Sequence, residues 1–209
     1  MKNEYSFVDK LQLVYYLFRT KLYWKKARLF RFPIDIRGKQ FIDFGLRLTT
    51  GRFCRFEAFS SDKNVVMRFG NDIQLNDMVH ITAMKNVCIG NHVLIASKVY
   101  ISDCSHGYYK GINDFDSDPE TIPTERAYQI QPVVIEDNVW IGEGVSILPG
   151  SVIGRGTIIG ANSVVNGVLP PYVIAVGAPA RVIKYYNFEL KKWQKVDTTK
   201  DCVSVNLNE

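Results

Sequence analysis

From Ile135 onward an aliphatic residue returns every six positions: Ile135, Ile141, Ile147, Ile153, Ile159 and Val165. Two further columns keep step with it. Three residues after each aliphatic stand Asn138, Gly144, Gly150, Gly156 and Asn162, residue types that tolerate positive φ in a tight turn. One position later come Val139, Val145, Ser151, Thr157 and Ser163, small or β-branched side chains suited to a crowded inward site. Each hexad therefore reads as a short strand plus a turn. Three hexads close a triangular coil of about eighteen residues, and successive coils stack as parallel strands around an aliphatic interior.

The same phase runs upstream through Ile36, Ile42, Leu48 and Cys54, then Phe69, Leu75 and Ile81, then Ile89, Ile95 and Ile101, with Gly45 and Gly51 in the turn column. The pattern breaks modestly between Ile81 and Ile89, which reads as a bulge. Between Ile101 and Ile135 it is lost altogether, in a stretch rich in Asp, Pro, Gly and Tyr. That segment predicts a long loop extruded from the coil, and long ordered loops on rigid scaffolds commonly carry function.

Ahead of the repeats, Phe7, Leu11, Val14, Phe18 and Leu22 follow a helical period, and Arg19, Lys21, Lys25, Lys26, Arg28 and Arg31 follow with no acid among them. This predicts a basic amphipathic helix that caps the first coil or meets an anionic surface. After the repeats, Pro170, Pro171 and Pro179 end the coil, and a short helix and tail are expected from Lys184. The organisation expected is a helical segment over 1–33, a repeat domain over 34–183 with its loop at 103–131, and a C-terminal helix and tail over 184–209.

Charge sharpens the picture at one end. The formal net charge is +5, and ten Lys/Arg against three Asp/Glu fall within residues 1–39. No nucleic-acid motif accompanies that basic start, so nucleic acid is not an expected partner. The longest uncharged run near it, Leu11 to Phe18, is too short to cross a bilayer, which points to a cytoplasmic protein, at most touching the inner face of the membrane. Cys54, Cys88, Cys104 and Cys202 lack CxxC spacing and are expected to be free thiols.

The stretch VIEDNVWIGEGVSILPGSVIGRGTIIGANSVVNGVLPPYVIAVGAPARVIK, together with SDCSHGYY, resembles the hexapeptide-repeat acyltransferases, nearest to the O-acetyltransferases of O-antigen, capsule and colanic acid synthesis. The likeness is dense over residues 95–186 and thin before 65. It implies an all-β solenoid, a left-handed parallel β-helix with an N-terminal amphipathic helix, an extruded catalytic loop and a short C-terminal helix. It also implies a homotrimer with active sites between subunits, acetyl-CoA as acyl donor, no metal, and a carbohydrate acceptor.

A sugar hydroxyl is a poor nucleophile until its proton is removed, and histidine suits that task. His106, where the chain enters the long loop, matches the family's general base, while His80 and His92 read as surface residues. Asp103 is a candidate to orient the imidazole. Cys104 stands where relatives often carry a histidine. By the same resemblance the backbone N–H of Glu143, after Trp140, Ile141 and Gly142, maps to the oxyanion donor. Gly142, Gly160, Ala161, Asn166 and Gly167, with Trp140, Glu143, Arg181 and Lys184, map to the acetyl-CoA site, although Asn166 and Gly167 replace a frequent Thr-Lys pair. Tyr108, Tyr109, Arg126 and Trp140 are expected at the acceptor, with Asp114, Asp116 and Glu125 also in the loop. Alternatives of other classes are an N-acetyltransferase for amino sugars, a zinc carbonic anhydrase on the same fold, and a non-catalytic scaffold.

Overall fold

The structure, a computed structural model, describes residues 5–109 and 116–196. Three stacks of parallel strands make the body of the molecule, and the chain visits them in rotation. Sheet A holds Leu29–Phe30, Thr49–Thr50, Gln74–Leu75, Leu94–Ile95, Trp140–Ile141, Ile158–Ile159 and Val173–Val176. Sheet B holds Ile34–Arg37, Cys54–Ala58, His80–Ala83, Tyr100–Ser102, Ser146–Ile147 and Val164–Val165. Sheet C holds Ile42–Asp43, Met67–Phe69, Val87–Ile89, Val133–Ile135, Val152–Ile153 and Val168–Leu169.

The hexad columns account for this architecture. Ile135, Ile141, Ile147, Ile153, Ile159 and Val165 are all fully buried and stack between sheets. Asn138, Gly144, Gly150, Gly156 and Asn162 all have positive φ, between 57° and 83°. Asp72, Met78, His92 and Lys98 adopt the same left-handed conformation in the earlier coils, because a turn is required at that position whatever side chain occupies it. Ser151, Thr157 and Ser163 are buried beside the turns and donate to the carbonyls of Leu148, Pro170 and Gly160 at 2.7, 2.8 and 2.7 Å. A buried hydroxyl is thereby satisfied and a turn carbonyl with it.

One helix, α1 (Phe7–Tyr23), precedes the coils. Ser6 and Asp9 close a capping box at its start. It packs on the first strand of sheet A through Tyr16 and Thr20, with Leu13 beside them. The Tyr16 hydroxyl donates to the Phe32 carbonyl at 2.8 Å, and Thr20 Oγ1 accepts from the Phe30 N–H at 2.8 Å. The periodic stripe Phe7, Leu11, Val14, Phe18 and Leu22 faces the other way and is exposed.

The end of the chain corrects the sequence expectation. Arg181–Asn187 pairs antiparallel with Val173–Val176 and turns back into Lys192–Lys195, a hairpin in place of a helix. Exposure alternates along Arg181–Asn187, a period of two that β-branched and aromatic residues sustain. The open edge of sheet A offers unpaired backbone groups, and pairing with them outweighs a short isolated helix.

Candidate active site

The long excursion leaves sheet B after Ser102 and returns to sheet C at Val133. It begins and ends as a two-stranded antiparallel ribbon, Cys104–His106 against Tyr128–Ile130, with His106 opposite Tyr128. Asp103 anchors the exit. Its carboxylate is completely buried and accepts the backbone N–H groups of Met84, Lys85 and Asn86 at 2.8, 2.7 and 2.8 Å. Those bonds fix the preceding coil and give Asp103 a structural task, and among the described residues it makes no hydrogen bond to the His106 ring.

His106 is instead held by packing. Its ring lies 4.5 Å from that of Tyr128, centroid to centroid. Tyr109 donates from its hydroxyl to the His106 carbonyl at 2.6 Å. Gly107, at φ 93°, turns the chain away immediately afterwards, and a Cβ there would strike the Tyr109 hydroxyl. Among the described residues neither nitrogen of the His106 ring has a hydrogen-bond partner. The imidazole is thus exposed, oriented and free to take a proton.

Two of the loop residues expected at the acceptor hold the loop together. The guanidinium of Arg126 donates to the Tyr109 hydroxyl at 2.9 Å and to the Thr121 and Pro119 carbonyls at 3.0 and 2.8 Å. Tyr109 and Arg126 are therefore engaged within the loop, while the Tyr108 ring remains partly open to solvent. Asp114 lies outside the described residues.

A cleft of about 470 Å³ opens beside His106 on the outward face of sheet B. Glu57, Phe59, Thr82, Met84, Tyr100, Ser102, Cys104 and Tyr128 line it with the imidazole. The loop did not advertise these residues. Tyr128 is brought to His106 by ribbon pairing across more than twenty residues, and Glu57, Thr82 and Tyr100 come from neighbouring coils. Thr82 and Tyr100 stand next to the aliphatic column, which turns them outward on the same sheet, whereas Glu57 sits beside Phe56, three residues past the column's Cys54. His80, expected to be a plain surface residue, is half-buried and bonded to Glu57 at 2.9 Å. His92 sits in an exposed turn at φ 56°, as its column predicts.

The residues expected to bind acetyl-CoA divide between two corners of the triangle. Trp140 is half-exposed on sheet A, and Gly142, Glu143 and Gly144 carry the chain round into sheet B. Gly160 and Ala161 stack on that corner, close enough that a Cβ on Gly142 would come within 2.6 Å of the Ala161 nitrogen. The Glu143 side chain points into solvent, 3.4 Å from Lys98. At the other edge of sheet B, Asn166 and Gly167 occupy the corner below which His106 emerges, and they form a groove with Arg181. Gly167 has φ 122°, and a Cβ there would meet nothing within 4 Å, so its backbone is open to a ligand. Lys184 stands on the antiparallel strand, paired with Ile174 and Lys195. Within one chain, then, sheet B separates the base from the expected oxyanion donor.

Comparison with known proteins agrees with this geometry. Residues 132–167 match the family described as Bacterial transferase hexapeptide (six repeats). The chain is 40% identical over 195 residues to WbbJ of Escherichia coli (strain K12), by name a candidate lipopolysaccharide biosynthesis O-acetyl transferase, covering 93% of this chain and 97% of that one. It belongs to the hexapeptide-repeat acyltransferases. The galactoside O-acetyltransferase of Escherichia coli (strain K12) is 36% identical over 129 residues, 62% of this chain and 58% of its own. In fold it matches AntD, an N-acyltransferase from Bacillus cereus solved in complex with dTDP and 3-hydroxybutyryl-CoA, with a TM-score of 0.64 and 19% identity over 82% of this chain and 90% of that one.

For a hexapeptide-repeat acyltransferase, the thiol in the cleft needs an assignment. Burial pushes the pKa of Cys104 up, the Ser102 hydroxyl lowers it, and the charges of Asp103 and Glu57 raise it further. The thiol form is favoured, and a covalent acyl carrier needs the thiolate. Among the described residues no three His, Cys, Asp or Glu side chains converge on a point that would hold a metal ion.

Proposed function

We propose that this protein is an acetyl-CoA-dependent O-acetyltransferase that acetylates a sugar hydroxyl of a bacterial surface polysaccharide, of the O-antigen or capsule type, or of its precursor. The observation that carries this is His106: exposed, oriented on Tyr128, unbonded at both nitrogens among the described residues, and set in a cleft of hydroxyl-binding character. The name of the relative WbbJ, matched over nearly its whole length, favours the same acceptor class.

His106 takes the hydroxyl proton as the sugar oxygen attacks the thioester carbonyl. The carbonyl oxygen gains charge and accepts from the backbone N–H of Glu143 on an adjoining copy. Collapse breaks the carbon–sulfur bond, and the CoA thiolate leaves with the proton held by the imidazolium. Acetyl-CoA lies along the corner of Trp140, Gly142, Gly160 and Ala161, and its phosphates meet Arg181 and Lys184 past Asn166 and Gly167. The enzyme is a homotrimer of left-handed coils, a reading supported by the division of these groups between two corners.

It works in the cytoplasm, where its donor is made, at the inner face of the membrane. No helix among the described residues is long and apolar enough to cross a bilayer. Support for contact with one comes from α1, where Phe7 and Phe18 are 75% and 70% exposed and Val8, Leu11, Val14, Tyr15 and Leu22 share their side. At about 100° per residue these seven fill a sector of roughly 120° with no charge in it. Exposed Lys10 and Lys21 flank it, and Lys25 and Lys26 follow, as suits an anionic surface.

The test is CoA release from acetyl-CoA with a panel of bacterial polysaccharides and their fragments, native protein against His106→Ala. Release should depend on one glycan and fall by roughly 10²–10⁴-fold in the variant, with acetyl-CoA binding intact. Release that survives the substitution removes His106 as base, and release only with amino sugars moves the assignment to N-acetylation.

A further inference from the structure

Glu57 is out of place by the logic of a strand. In Cys54–Ala58 it stands at an outward position, opposite Arg37 on one neighbouring strand and Thr82 on the other. Yet it is only 7% exposed, and carboxylates are seldom buried unless paired. Three partners surround it. Oε1 accepts from Arg37 Nη1 at 2.9 Å and from Arg55 Nη2 at 2.6 Å, and Oε2 meets His80 Nε2 at 2.9 Å. Burial alone would raise its pKa, but His80 and Arg55 more than offset that and hold it below the ordinary glutamate value.

This arrangement leaves a defined opening. A carboxylate offers about four lone-pair positions, and three are taken. The fourth, on Oε2, has no partner among the described residues, and Glu57 lines the cleft it shares with His106. Around it the cleft supplies the other requirements of a sugar. Phe59 and Tyr128 present half-exposed aromatic faces for the C–H side of a pyranose. The hydroxyls of Thr82 and Tyr100 add donors and acceptors, and that of Tyr100 has no hydrogen-bond partner among the described residues. The cleft volume falls in the range of small-molecule sites.

We propose that Glu57, fixed by its bonds to Arg37, Arg55 and His80, is the hydroxyl-binding residue of an acceptor subsite, and that the occupant is a neutral pyranose. A ring hydroxyl donates to Glu57 Oε2 while another hydroxyl of the same sugar, or of its neighbour, lies at His106. A uronic acid is disfavoured in this subsite, because its carboxylate would face that of Glu57 in a sheltered cleft. The proposal rests on the O-acetyltransferase reading above and adds the residue that selects the acceptor.

The probe is the oligosaccharide mixture released by mild acid from smooth lipopolysaccharide, titrated in the CoA-release assay against native protein, Glu57→Gln and Tyr100→Phe. Glu57→Gln should raise the glycan KM roughly tenfold or more, leave the acetyl-CoA KM within about twofold, and keep the native oligomeric mass. Tyr100→Phe, which leaves the ion pairs untouched, should raise the glycan KM several-fold. An unchanged glycan KM in both variants overturns the subsite. So does a parallel rise in both KM values with altered mass, which would make Glu57 a structural pillar. If native protein releases no CoA, the transfer reading has failed, and saturation-transfer NMR with the same oligosaccharides decides the subsite separately. Binding to native protein that is lost in Glu57→Gln supports it, and absent or equal binding overturns it.

Discussion

Asp103 shows how a side chain with catalytic credentials is committed elsewhere. A carboxylate three residues before the base suggests an orienting role, but the Asp103 carboxylate is fully buried and engaged by three backbone N–H groups of the preceding coil. Asp103→Ala should lower stability by roughly 2–4 kcal/mol, since buried amides would lose a charged acceptor. Urea unfolding measures this, and an unchanged midpoint would contradict the assignment. The turn residues were far more legible. Asn138, Gly144, Gly150, Gly156 and Asn162 were read from spacing as positive-φ positions, and all are. That column was readable because the constraint is local and repeats, whereas the partners of Asp103 lie 17 to 19 residues away and leave no periodic mark. Glu57 and His80 went unread for the same reason.

Among the elements, the strands, the extruded loop and helix α1 followed from the periodicity, while the C-terminal hairpin departed from expectation. The apolar stripe of α1 was read correctly as helical, but periodicity does not say which side the protein covers. Tyr16 and Thr20 face the coil because their hydroxyls satisfy backbone groups of Phe30 and Phe32. The stripe is left outside. If it lies on a membrane, Leu11→Glu with Phe18→Glu should abolish cosedimentation with vesicles containing phosphatidylglycerol and leave CoA release with a soluble glycan unchanged. Retained cosedimentation would remove α1 as the contact. At the other end, the alternation in Arg181–Asn187 was present in the sequence, but the edge of sheet A that recruits it was not.

For the molecule as a whole, the separation of His106 from Glu143 by the width of sheet B is what the proposed sharing of the site between copies rests on, and it can be tested by complementation. His106→Ala lacks the base. Gly142→Ala forces a Cβ against the backbone of Ala161 and shifts the turn that carries the Glu143 N–H. Each variant alone should be inactive. Refolded together in equal amounts, they should regain up to about one quarter of native activity, the share of interfaces in a closed ring that unite an intact base with an intact donor turn. Two inactive parents that stay inactive when mixed would place the whole site within one chain.

The two ends of the coil also decide how far such an assembly extends. Helix α1 lies on the first strand of sheet A, and the Arg181–Lys195 hairpin covers its last parallel strand. The outermost strand, Lys192–Lys195, begins and ends in lysine, which discourages another backbone from docking. Lengthwise pairing through sheet A is thereby obstructed at both of its ends. In the proposed trimer copies then meet along their flanks, and sheet A offers neither of its ends as the seed of a filament.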